Sequence, residues 1–214
     1  MAVLCNPNNP DGGYLPRREI VRFMDELADL DLVVIDESFI DFMDVEQDGS
    51  VARDATIRPN VVVLKSLGKN FGLHGVRAGY AVTNVQLAAR LRRELPSWNV
   101  NGLAELLIRE LPHYLDAYEE SRRRVVRDRV VLADRLRGLG GLTAYPSRAN
   151  FVYVRVADAV DGTAVRDRLL AEYGILVREC GNKLGSDRQH FRIAARPAEQ
   201  VGSLVEALAA CLPC

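Results

Sequence analysis

The sequence predicts an α/β protein with a mainly parallel sheet, followed by a smaller α/β domain, and three observations carry that reading. Short apolar runs recur through the first half, at Ala2-Val3-Leu4, Leu32-Val33-Val34-Ile35, Val61-Val62-Val63-Leu64 and Ala78-Gly79-Tyr80-Ala81-Val82, and each reads as a strand. Helical apolar spacing lies between them, over Arg17 to Leu30 and Val85 to Leu95. Strands alternating with helices imply crossover units and hence parallel pairing. The second half mixes the two element types again on a smaller scale.

In that half a long amphipathic helix is expected from near Asn101, broken around Pro112 and resumed from Leu115 to Leu139, where Gly138-Leu139-Gly140-Gly141 ends it. Asn150 to Val156 reads as a strand, Thr163 to Tyr173 as a helix, Ile175-Leu176-Val177 and His190 to Ala194 as strands, and Pro197 to Leu212 as a closing helix. The expected division is a larger domain over residues 1–105 and a small C-terminal domain over residues 106–214.

With 214 residues, 48% hydrophobic and 27% charged, the chain can bury a real core. A formal net charge of -1 gives no general attraction for nucleic acid. The densest basic run, Arg122-Arg123-Arg124 with Arg127 and Arg129, is interleaved with Glu119, Glu120 and Asp128, as a solvated helix face would be. No apolar run reaches membrane-spanning length, and the N-terminus lacks the pattern of a signal peptide. Cys5, Cys180, Cys211 and Cys214 are too sparse for a disulfide framework, so reduced thiols and a cytoplasmic location are expected. The Cys211-Leu212-Pro213-Cys214 spacing has no active-site context and is assigned no role.

The run from Ser66 to Arg77, Ser-Leu-Gly-Lys-Asn-Phe-Gly-Leu-His-Gly-Val-Arg, carries the chemistry. It follows a strand, so Lys69 is expected on a loop at a strand end, where open α/β sheets bind ligands. A nucleotide phosphate loop fails on the residues: Gly68-Lys69 lacks the upstream glycine, and Asn70 replaces the hydroxyl residue. A lone loop lysine is ordinarily just solvated. In the company of Ser66 and Arg77, a Schiff-base lysine that holds pyridoxal phosphate explains more, with hydroxyl and guanidinium available to the phosphate. That cofactor needs a carboxylate for its pyridine nitrogen, and Asp36 ends an apolar strand run where it could supply one. The turn Asn6-Pro7-Asn8-Asn9-Pro10-Asp11-Gly12 ends another such run.

Taken in order, that turn, Asp36-Glu37-Ser38-Phe39, and Ser66-x-x-Lys69 with Arg77 resemble the class I and II aminotransferase superfamily, the fold-type-I pyridoxal phosphate enzymes, over essentially the whole chain. The resemblance implies a PLP-dependent transferase-like fold, with a partial cofactor-binding large domain and a small domain. Lys69 would hold the cofactor covalently, Asp36 would pair with its ring nitrogen, Asn9 would bond its phenolic oxygen, and Ser66 and Arg77 would hold its phosphate. No metal is implied.

The chain departs from the common pattern at Phe39, where most relatives carry a tyrosine whose hydroxyl reaches the phenolic oxygen. The segment Asp36 to Phe42, and the runs Val177 to Asn182 and Asp187 to Arg196, are instead similar to the threonine-phosphate decarboxylases of cobalamin biosynthesis, relatives of histidinol-phosphate aminotransferases. By that resemblance Arg192 would bind a substrate carboxylate and Arg178 a substrate phosphate, with Arg196 a weaker candidate. The substrate would be a phosphorylated amino acid, and the protein a homodimer with neither nucleic acid nor membrane as partner. Transamination, or a non-catalytic binding module, is the alternative. Family members carry a long portion ahead of the Asn-Pro turn, so this chain is expected to be a fragment, one half of a two-chain protein, or a non-catalytic remnant.

Overall fold

The computed structural model describes residues 1–43 and 49–212, which form two compact units. Of these, the first comprises Met1–Pro7 and the described residues of 14–122, the second Asn8–Gly13 and residues 123–212. Cys214, the last cysteine of the spacing noted above, lies outside the described residues.

In the first unit four strands, β1 (Ala2–Cys5), β2 (Val33–Asp36), β3 (Val61–Ser66) and β4 (Gly79–Val82), lie side by side in that order. β1, β2 and β3 are parallel, with Cys5 opposite Asp36, so their carboxyl ends share one edge. β4 departs from the expected parallel units: it pairs antiparallel with β3, Ser66 opposite Gly79. The twelve residues between them, 67–78, hold only two single-turn helices and bring the chain back along β3 in the opposite direction. Helix α1 (Arg17–Glu26) stops short of the expected Leu30. Its buried Ile20 and Met24 pack with Val33, Ile35, Val61 and Val63, and with Val51 and Ala55 beside and within α2 (Ala52–Ala55). The face of the sheet that carries Val33, Ile35, Val61 and Val63 is buried, whereas Val3, Leu64 and Tyr80 are exposed.

Three helices complete this unit's chain: α3 (Leu67–Asn70), α4 (Val85–Glu94) and α5 (Gly102–Glu110). Asn84 and Asn101 cap the last two, their side-chain oxygens accepting the N–H groups of Leu87 and Ala104. A 3₁₀ turn over Leu111–Tyr114, with Pro112 near its start, separates α5 from α6 (Leu115–Arg137). The break falls where the sequence put it.

The second unit is an antiparallel sheet ordered β5 (Leu142–Ala144), β6 (Phe151–Val156), β8 (His190–Ala194) and β7 (Arg178–Glu179). It packs on α6, α7 (Gly162–Tyr173) and α8 (Ala198–Cys211), burying Leu132, Leu136, Val152, Val154, Leu169, Phe191 and Leu208 in one core. Alternation places Phe191 and Ile193 in that core, leaving Arg192 on the other face. The expected strand at Ile175-Leu176-Val177 is absent; pairing begins at Arg178. Gly174, left-handed at φ 67°, ends α7, and the chain uses the following residues to turn back onto the sheet.

The Asn8–Gly13 turn belongs to this unit because Gly12 fits against it. The Gly12 carbonyl accepts the Arg148 N–H at 2.9 Å, and a Cβ at Gly12 would lie 2.0 Å from Ser147 Oγ. The basic face of α6 is also less uniform than its sequence suggests. Arg129 is buried rather than solvated, donating to the Ala149 carbonyl, because its position faces the sheet.

Candidate active site

The carboxyl ends of β2 and β3 deliver Asp36 and Ser66 to one edge of the first sheet. Asp36 Oδ1 accepts the Ser38 N–H at 2.8 Å, which orients its carboxylate at the turn. Ser66 is the N-cap of α3, its Oγ accepting the Lys69 N–H at 3.4 Å. Lys69 therefore stands on a one-turn helix rather than a loop, because the Ser66 hydroxyl satisfies a backbone donor that would otherwise face water. Its ammonium lies 4.4 Å from the centroid of the Phe39 ring, a cation–π distance.

Arg77 enters the same edge from the β4 side in the left-handed region, at φ 58° and ψ 40°. A non-glycine residue there is held by its surroundings against its own preference. A cavity of about 330 Å³ is lined by Ser66, Gly68, Lys69, His74, Arg77 and Gly79. Lys65 lines it too but is paired with Glu37; the Ser66 hydroxyl with the Lys69 and Arg77 cations suits an anion, and the Lys69 amine suits an aldehyde. Burial raises the Cys5 thiol pKa, the Asp36 carboxylate raises it further, and the Lys69 ammonium lowers it.

In the second unit Arg192 and Arg178 are directly opposed across β8 and β7. Arg192 Nη1 donates to Asn9 Oδ1 at 2.8 Å, and Arg178 Nη2 donates to Asn182 Oδ1 at 2.9 Å. Both of these partners are neutral amides. Burial pushes the Arg192 guanidinium below its ordinary value, Cys180 opposes that, and the charge of Arg178 adds to it. Tyr153 of β6 stands opposite Arg192 on its other side, its hydroxyl 2.5 Å from Ser186 Oγ. Arg196 is exposed and shares with Arg178 and Arg192 the lining of a groove of about 900 Å³.

The structure thus gathers Asp36, Phe39, Ser66, Lys69 and Arg77 in the first unit, and Asn9, Arg178 and Arg192 in the second. Sequence reasoning missed a buried ion pair beside the first set. Glu37 and Lys65, each next to a site residue, meet at 2.8 Å with 1% and 8% of their side chains exposed. Ser50 Oγ and the Val51 N–H also donate to the Glu37 carboxylate, at 2.6 and 2.7 Å. A lysine at the end of an apolar strand run, with a glutamate at the matching place on the previous one, was the available signal. It also missed Asp41, Asn70 and Tyr118, which no local pattern links.

Comparison with known proteins agrees with this geometry. The family model Aminotransferase class I and II matches residues 1–208. The chain is 36% identical over 214 residues to the L-serine phosphate decarboxylase of Sulfurospirillum multivorans, covering 96% of this chain and 54% of that protein. It is 36% identical over 209 residues to histidinol-phosphate aminotransferase 2 of Archaeoglobus fulgidus, covering 97% and 57%. A solved decarboxylase from Sulfurospirillum multivorans superimposes with a TM-score of 0.90, covering 99% of this chain and 61% of that one. The L-threonine-O-3-phosphate decarboxylase from Porphyromonas gingivalis does so at 0.88 and 29% identity, covering 97% and 63%. The chain spans about half the length of the relatives it matches in sequence. On the family match and the shared fold, this chain belongs to the class I and II aminotransferase family and has the fold of its pyridoxal phosphate-dependent, fold-type-I members.

Proposed function

We propose that the protein carrying this chain binds pyridoxal phosphate and decarboxylates a phosphorylated amino acid of the serine phosphate or threonine phosphate class. Pyridoxal phosphate, when bound, supplies an electron-withdrawing ring that accepts the electron pair of a bond broken at the substrate's α-carbon. The residues present fit that group. Lys69 would hold its aldehyde carbon through Nζ, Ser66 and Arg77 would hold its phosphate, and the Asp36 carboxylate would keep a proton on its ring nitrogen. Asn9 would donate its amide to the phenolic oxygen, and Phe39, which has no hydroxyl, would pack under the lysine without contributing a hydrogen bond.

The observation that carries the substrate class is the pair Arg178 and Arg192, adjacent cations partnered by two asparagines. Like charges opposed on neighbouring strands cost stability, and an anionic ligand offsets that cost. Arg192 would take the carboxylate and Arg178 the phosphate. A homodimer in the cytoplasm is the assembly and location we propose. Exposed Trp98, Leu103 and Leu106 supply apolar surface that supports a protein interface. No helix among the described residues is long and apolar enough to cross a membrane.

The full-length protein, incubated with cofactor and either serine phosphate or threonine phosphate, should release carbon dioxide without a keto acid. If the amino group of glutamate is instead passed to a phosphorylated keto substrate and no carbon dioxide appears, the aminotransferase alternative replaces this reading.

A further inference from the structure

Lys69 is followed by Asn70 and Phe71, and both are tied to one carboxylate that the chemistry above does not use. Asp41, in the 3₁₀ turn Ile40–Phe42, accepts from Asn70 Nδ2 in a short hydrogen bond, and from Tyr118 Oη at 3.0 Å on the same oxygen, Oδ2. The Tyr118 ring stacks on Phe71, with centroids 4.4 Å apart. Arg122, one turn further along α6, donates to the Asp41 backbone carbonyl at 3.2 Å. Burial and the adjoining carboxylate together hold the Tyr118 phenol protonated far above its ordinary range, so it remains a donor.

Two details distinguish this arrangement from ordinary packing. Phe39, the residue just ahead of this 3₁₀ turn, has its ring under the Lys69 ammonium, so one short stretch touches the lysine's tip and, through Asp41, its following residue. The Oδ1 of Asn70 is buried with no hydrogen-bond partner among the described residues. An orphaned carbonyl costs stability, so Asn70 is a poor choice if the fold alone were served. Its amide is the only part in use, and that part holds the backbone of the one-turn helix on which Lys69 stands.

We propose that Asp41 is the positioning residue for Lys69, holding α3 in place through Asn70 and, by way of Tyr118, through Phe71. The inference rests on the reading that Lys69 is the amine that receives the cofactor's aldehyde. α3 has four residues and cannot sustain its own orientation, since a single turn is below the length at which helices are stable alone. Asp41 supplies the outside constraint.

Site-selective labelling separates the two claims. The chain has three lysines, Lys65, Lys69 and Lys183. Lys65 is engaged in the buried ion pair, and Lys183 is exposed and serves as the internal reference. The full-length protein, freed of cofactor, is mixed with pyridoxal phosphate and borohydride, and the label on each lysine is read by peptide mass mapping. In the wild type the label should favour Lys69 over Lys183; if it does not, the reading of Lys69 itself fails. Given that preference, Asp41→Ala and Asn70→Ala should each lower the Lys69-to-Lys183 ratio by about tenfold, the equivalent of one well-placed hydrogen bond. Asp41→Asn, which keeps one acceptor oxygen, should fall between. Asn70→Ala removes the orphaned carbonyl together with the amide bond, so its two effects on folding oppose each other, and it decides the matter should Asp41→Ala unfold. A folded Asn70→Ala protein with the wild-type ratio overturns the proposal.

Discussion

Arg178 and Arg192 stand directly opposite each other on neighbouring strands, and each donates to an asparagine, Asn182 and Asn9 respectively. No local rule of sheet pairing favours that placement, since like charges opposed on adjacent strands repel. In the function we propose, the pair receives two anions of one ligand, and that has a measurable consequence.

Arg178→Ala should weaken the apparent affinity for a phosphorylated amino acid by about ten- to a hundredfold, the effect of about 1.5–3 kcal/mol for a charge-assisted bond, and the unphosphorylated amino acid far less. Arg192→Ala should weaken both, because both carry the carboxylate. Equal losses for the two ligands in Arg178→Ala would show that Arg178 does not read the phosphate. Titration of ligand binding in the full-length protein provides the check.

The Cys5 thiol gives a second test, independent of turnover. Burial and the Asp36 carboxylate raise its pKa and the Lys69 ammonium lowers it, so at neutral pH it should alkylate slowly and speed up only at a higher pH than a free thiol. Asp36→Asn removes a raising charge and should shift the alkylation profile to lower pH. Lys69→Ala removes the lowering charge and should shift it up. The sign of the stability effect follows: a raised folded pKa means the stabilisation is complete below the unfolded thiol's pKa and is lost as pH rises through the folded one. Opposite shifts in the two variants, read in cofactor-free protein, would establish that both charges bear on the thiol.

The buried pair Glu37–Lys65 supplies the third. Lys65→Met leaves the Glu37 carboxylate at 1% exposure without its cation and should cost about 3–5 kcal/mol in denaturant unfolding. Pairing it with Glu37→Leu removes the orphaned charge and should recover much of that loss, although the Val51 N–H then lacks its acceptor. A double variant no better than the single one would show that the pair contributes through packing rather than charge.

The sequence was most informative where chemistry and periodicity coincide. Runs such as Val61 to Leu64 read as strands, and Asp36 and Ser66 each lie at the end of one, Asp36 directly after Ile35 and Ser66 two residues after Leu64. Alternation along the strand His190 to Ala194 puts Arg192 on the face away from Phe191 and Ile193, as the side-chain period of two requires. Element ends were less legible. Ile175-Leu176-Val177 is as apolar as a strand, yet pairing starts at Arg178, because the left-handed Gly174 and the turn after α7 set where the chain meets β8. Arg129 looked like part of a solvated basic face and is buried, because its position on α6 faces the sheet and the Ala149 carbonyl.

By itself, then, the sequence determined the family's ordered motifs and singled out the candidate residues of the proposed site: the lysine, its hydroxyl and guanidinium neighbours, the strand-end aspartate and the two arginines, all readable because each sits in a local pattern. Tertiary structure decided how they are held. Lys69 is restrained by Asp41 and Tyr118, the latter 77 positions from Asp41, and Glu37 is neutralised by Lys65 from the next strand. Those partnerships depend on strand order, on the antiparallel pairing of β4 with β3, and on which face of α6 turns inward, none of which a local pattern encodes. Hydrogen bonds and ion pairs act over a few ångströms in space, whereas sequence patterns report only neighbours along the chain.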